Sequence, residues 1–69
     1  MPDAHALMVK LGERRMNLGL TQLEVASRIG VSQGAVSFWE TGQRTPNLAK
    51  FTELADLLGF ELTLTLKTP

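Results

Sequence analysis

Two glutamines each open a segment behind a hydroxyl residue: Gln22 follows Thr21, and Gln33 follows Ser32. Serine and threonine at such places cap helix starts, where unpaired backbone amides and the positive end of the helix dipole meet. Gln22, behind the Thr21 cap, therefore sits where an anion is favoured. A glutamine amide adds a donor and an acceptor in one plane, suited to two-point hydrogen bonding. Arg44, in a turn before Pro46, is the best-placed cation for pairing with an oxyanion. Chemistry that makes or breaks bonds has no support. The chain lacks cysteine and has a single histidine, His5, which excludes thiolate metal centres, a histidine cage and a disulfide framework. No nucleophile-base pair or phosphate-binding glycine loop is present, so an enzyme, a catalytic residue, a metal site and a cofactor are all not expected. The groups available bind; they do not turn over a substrate.

Sixty-nine residues allow one compact unit, about half a typical domain. A hydrophobic share of 43% is ordinary for a globular chain and too high for intrinsic disorder. Seven Lys+Arg balance seven Asp+Glu, which argues against indiscriminate clinging to nucleic acid or anionic lipid but leaves room for a local basic face. No apolar run approaches the ~18–20 residues needed to cross a bilayer, and Met1 to Lys10 lacks the pattern of a secretion signal. A cytoplasmic protein with no membrane partner is expected. Small domains often need disulfides, metal or a partner subunit; with the first two excluded, self-association leads.

Gly19, Gly30, Gly42 and Gly59 each follow a stretch of helical periodicity, which reads as four helices closed by left-handed glycines. The first runs from about Ala4 to Leu18, with Leu7, Leu11 and Leu18 on one stripe; Met8 and Met16 read as core filler. Gly12 inside it costs about 1 kcal/mol against alanine. The second opens with a capping box, Thr21-Gln22-Leu23-Glu24, and turns Leu23, Val25, Ala26 and Ile29 inward. The third, about Gln33 to Thr41 behind the Ser32 cap, buries Val36 and Trp39. Asn47 caps a fourth, carrying Leu48, Phe51, Leu54, Ala55 and Leu58 at helical spacing. After Gly59 the period becomes two: Phe60, Leu62, Leu64 and Leu66 alternate with Glu61, Thr63, Thr65 and Lys67. That predicts one half-buried strand.

Only Gly30, Val31 and Ser32 separate the second helix from the third, so the two must cross steeply, with Ala26 small enough to let them touch. The segment QLEVASRIGVSQGAVSFWE (Gln22 to Glu40) resembles the helix-turn-helix of phage lambda repressor and Cro type (XRE family) proteins. Leu20-Thr21-Gln22 before it, and Trp39-Glu40-Thr41-Gly42 with Arg44 and Pro46 after it, match as well. The resemblance spans about Leu7 to Leu58. It implies an all-α domain of four to five helices that binds double-stranded DNA sequence-specifically, its third helix in the major groove. By that pattern Gln33, Gly34, Ser37 and Phe38 face base edges. A glutamine can read adenine through two hydrogen bonds, and a phenylalanine can only pack on a thymine methyl. Gly34 and Phe38 depart from the usual side chains, which implies a modest direct code helped by DNA shape. Phosphate contacts are expected from Thr21, Gln22, Ser32, Gln43, Arg44 and Asn47, with Lys50 a weaker candidate. In the family the first glutamine often braces the recognition-helix glutamine, which would couple Gln22 to Gln33. An arginine on the first helix pairs with the glutamate closing the recognition helix; here these are Arg15 and Glu40. His5 is assigned no chemistry.

The lone amphipathic strand has no mate in its own chain and would expose both backbone edges. Pairing Phe60, Leu62, Leu64 and Leu66 across a twofold axis solves this and sets two recognition helices ~34 Å apart on one face. Centred on Leu64, the ribbon puts Glu61 opposite the mate's Lys67. The division is then 1–59 for the helix-turn-helix domain and 60–69 for the dimerisation strand and tail. The expected function is a homodimeric regulator, a repressor, on an inverted repeat. The ending LADLLGFELTLTL is similar to antitoxins of HipB type, which implies the alternative: an antitoxin that neutralises a kinase-like toxin and regulates its own operon.

Overall fold

The computed structural model describes residues 3–68; the outer limits of the two expected segments, at 1 and 69, lie outside them. It contains four helices: α1 (Ala4–Asn17), α2 (Gln22–Ile29), α3 (Gln33–Thr41) and α4 (Leu48–Leu57). Each starts at a side-chain cap. The Asp3 carboxylate accepts from the Ala6 amide at 2.8 Å, the Ser32 hydroxyl from Ala35 at 3.1 Å and the Asn47 carbonyl from Lys50 at 2.8 Å. At α2 the capping box closes both ways, Glu24 N–H to Thr21 Oγ1 and Thr21 N–H to Glu24 Oε1, each 3.0 Å. These bonds satisfy amides that a helix start otherwise leaves unpaired.

The core is Met8, Leu11, Val25, Ala26, Ile29, Val36, Trp39, Leu54, Ala55 and Leu58. It lies where α3 crosses α2 and α1, with α4 closing the far side of α2. Ala26 is fully buried, as the steep α2–α3 crossing requires. Gly30 holds φ +75° and Val31 N–H returns to Ala26 C=O at 3.0 Å, so the chain turns sharply within three residues.

Several apolar positions lie elsewhere than the sequence periodicity puts them. Leu23 is 58% exposed and Leu48 77% exposed, and Met16 and Leu18 also face outward. Each sits in the first or last turn of a helix, or just past it, where the neighbouring element has already diverged and nothing covers the stripe. Gly12 is buried because α1 passes against Glu40 there; a β-carbon would lie 3.3 Å from Glu40 Cδ. The helix propensity it forgoes is the cost of that approach.

Gly42 is restricted twice. Its φ is +81°, and a β-carbon would fall 2.8 Å from the His5 ring. Gly42→Ala is expected to cost about 1–2 kcal/mol, read by denaturant unfolding. In a His5→Ala background the ring clash is gone but the left-handed backbone stays, so a cost of about 1 kcal/mol should persist. Its disappearance would make the ring, and not the backbone, the constraint.

The expected strand does not form in the single chain: 60–68 carry neither helix nor strand. A ladder needs a second backbone, and no other extended segment of the described residues offers one. Phe60 and Leu62 are 41% and 45% exposed and line a hollow with Leu7, Leu11, Phe51 and Ala55, whereas Leu64 and Leu66 are 103% and 94% exposed. The segment begins on the body and then leaves it.

Candidate nucleic-acid interface

α3 buries Val36 and Trp39 and turns its other flank outward. Gln33 and Gly34, in its first turn, are exposed; Ser37 is half-buried, and Phe38 is 39% exposed. Thr21, Ser32, Gln43, Arg44 and Asn47 are exposed around it, and Gln22 is half-buried. The caps use the side-chain oxygens of Thr21, Ser32 and Asn47 as acceptors. The two hydroxyl hydrogens and the Asn47 amide group are left as donors toward an outside acceptor.

Behind this surface lies a polar knot. Arg15 grips Glu40 with two hydrogen bonds, Nε to Oε2 at 2.7 Å and Nη2 to Oε1 at 2.9 Å, and its third nitrogen donates to Leu20 C=O at 2.7 Å. The two side chains are only 12% and 14% exposed. Gln22 Nε2 donates to Glu40 Oε1 at 3.1 Å. That differs from the family brace onto Gln33: a carboxylate is the stronger acceptor, and Glu40 lies within reach. Gln33 is thereby left with its amide outward. Burial alone would raise the Glu40 carboxyl above its ordinary range, but hydrogen bonds from Arg15 and Gln22 and the Arg15 charge overcome it, and the net direction is down. Arg15 moves up, chiefly through its hydrogen bond to Glu40. The sequence holds the signal for two members of this knot; the third, Gln22, is legible there as an anion-facing residue and as a brace for Gln33, not as a partner of Glu40.

Lys50 is drawn away from an outward role. Its ammonium donates to Ile29 C=O and to Glu53 Oε2, each at 3.0 Å, which covers the C-terminal end of α2, where a cation is favoured. Arg14 likewise ties α1 to the end of α4, Nε to Leu58 C=O at 3.0 Å. Nothing in its sequence surroundings marks that role. Arg44 remains outward, with its guanidinium carbon 5.3 Å from the centre of the Phe38 ring. The surface therefore offers outward amides, hydroxyls and one stacked guanidinium over a largely buried, ion-paired base: a set suited to a polyanion with polar edges.

Residues 11–64 match the family model described as Helix-turn-helix. The chain belongs to that family. This helix-turn-helix protein is 41% identical over 49 residues to an uncharacterized HTH-type transcriptional regulator of Methanothermobacter thermautotrophicus, covering 71% of each chain. It is 47% identical over 45 residues to the uncharacterized HTH-type regulator y4dJ of Sinorhizobium fredii, covering 65% of its own length and 58% of that relative. Among solved structures, it superposes on a HipB variant in an O2 20mer complex with a TM-score of 0.82 at 25% identity, over 99% of this chain and 94% of that one. The helix-turn-helix protein is thus an all-α, XRE-type DNA-binding regulator and not an enzyme. No helix among its described residues is long and apolar enough to cross a membrane.

Proposed function

We propose that this helix-turn-helix protein is a repressor that binds an inverted repeat as a homodimer, with α3 of each protomer in the major groove. The observation that carries this reading is the outward flank of α3: Gln33, Gly34, Ser37 and Phe38 leave the core to Val36 and Trp39. Gln33 reads a base through its free amide, Ser37 adds a hydroxyl, and Gly34 lets the helix backbone approach the groove floor. Gln43, Arg44 and the helix starts at Thr21, Gln22, Ser32 and Asn47 hold the phosphates. Dimerisation is supported by the tail, whose Leu64 and Leu66 find no cover among the described residues, and by a HipB superposition that extends through it. The HipB superposition, with the HipB-type resemblance of the tail, supports a second reading, an antitoxin that binds a partner toxin; an adjacent, overlapping gene for a larger protein would favour it, and the absence of one would favour the stand-alone repressor.

Selection of bound sequences from random duplexes tests the first reading. An inverted repeat with half-sites about one turn apart is expected; a monomeric footprint, or no preferred site, would count against it. On the selected duplex, Gln33→Ala should weaken binding by about 1–3 kcal/mol per half-site and relax preference at one position in each. Fluorescence anisotropy against single-base variants reads both effects. Equal loss on every variant would deny Gln33 its base contact.

A further inference from the structure

We propose that Phe38 acts as a positioning residue for Arg44, so that the two side chains make one sequence-independent contact to the DNA backbone in place of a base contact and a separate charge. The inference rests on the DNA-binding reading above. The Arg44 guanidinium carbon stands 5.3 Å from the Phe38 ring centre, within the distance at which a cation is attracted to an aromatic face. The backbone of the turn hangs from the same residue. The Phe38 carbonyl accepts from Gln43 N–H at 2.9 Å and Arg44 N–H at 3.2 Å, and from the Thr41 hydroxyl at 3.3 Å. Ring and carbonyl thus fix both ends of Arg44, its amide and its guanidinium.

Two further facts give the arrangement a purpose. Of the seven Lys+Arg side chains, Arg14, Arg15 and Lys50 are engaged inside the domain, while Arg44 makes no ion pair among the described residues. With net charge zero, a cation held beside α3 counts for more than it would in a basic protein. An arginine on a turn would otherwise lose several rotamers on binding, and stacking removes part of that loss beforehand. The ring face that holds the guanidinium is also not free to lie on a thymine methyl.

Phe38→Leu separates the two roles, because leucine keeps an apolar contact to a methyl group but has no π face. The wild type, Phe38→Leu, Phe38→Trp, Arg44→Gln and the Phe38→Leu/Arg44→Gln double variant are titrated on the selected duplex and its single-base variants at several salt concentrations. Thermal melting checks that each is folded. Phe38→Leu should weaken binding about three- to five-fold per protomer, hence about ten- to twenty-five-fold on the whole repeat, on every duplex and without changing their ranking. It should also move the salt slope toward that of Arg44→Gln, which falls by about 0.9 per protomer. Phe38→Trp should restore both, and the double variant should be no weaker than Arg44→Gln. A changed ranking at one base pair, an unchanged salt slope, or additive losses would overturn the proposal. A wild type that binds no duplex at all would instead sink the DNA-binding reading itself.

Discussion

Glu40→Ala is expected to lower the melting temperature by about 12 °C or more, while Glu53→Ala moves it by no more than about 4 °C. The two glutamates look alike in composition and differ in surroundings. Glu40 is 14% exposed and takes three hydrogen bonds, two from Arg15 and one from Gln22. Removing it strands a desolvated guanidinium that keeps only Leu20 C=O, leaves the Gln22 amide unpaired and opens a gap beside Gly12. Breaking a buried pair from one side costs about 3–5 kcal/mol, and the remaining exposure puts this case near 3. For a domain of this size each kcal/mol is worth about 4–8 °C. Glu53 is half exposed and pairs with Lys50 one turn away on the same helix, an arrangement worth under about 0.5 kcal/mol. The pH dependence has a fixed sign. Glu40 is held below its ordinary range in the folded protein, so its contribution is complete above the unfolded value of about 4.3 and is lost as pH falls through the folded one. Glu40→Gln should therefore flatten the acid limb of the stability curve; an unchanged limb would mean that other carboxylates carry it.

The helices and their ends were legible because they are written in local chemistry. Thr21 with Glu24, Ser32 and Asn47 announce starts, and glycines at 19, 30, 42 and 59 take positive φ at the ends. The inward set of the helix-turn-helix, from Val25 to Trp39, followed from spacing alone. Leu23, Leu48 and Met16 did not, since periodicity gives the direction a side chain points and not whether another element waits there. Gly12 is the sharper case. Propensity marks it as a flaw in α1, and only the passage of Glu40 against it, 28 residues on in sequence, turns it into a requirement. The side chains of Gln22 and Lys50 share that limit: each donates to an acceptor brought close only by tertiary packing, Glu40 and Ile29 C=O, while the Gln22 amide at the helix start keeps its outward place. Arg44 stacking on Phe38 likewise depends on how the turn after α3 folds back, which Gly42 decides.

On the proposed homodimer, Leu64→Asp is expected to give a monomer, to weaken binding to the inverted repeat at least about 100-fold and to make the melting temperature independent of protein concentration, with the protomer's own fold intact. The last part follows from the single chain, where Leu64 is fully exposed and touches no core residue that an aspartate would disturb. The first follows from symmetry. In a ribbon centred on Leu64 the residue faces its own copy across the axis, so one substitution sets two carboxylates against each other where two apolar side chains had packed. The loss on DNA is that of linkage: two half-sites held together raise avidity by about 10²–10⁴ over one. Sedimentation and anisotropy on whole and half operators separate the steps. The variant should match the wild type on a half-site and fail on the whole repeat. If it still sediments as a dimer, the tail is not the seam.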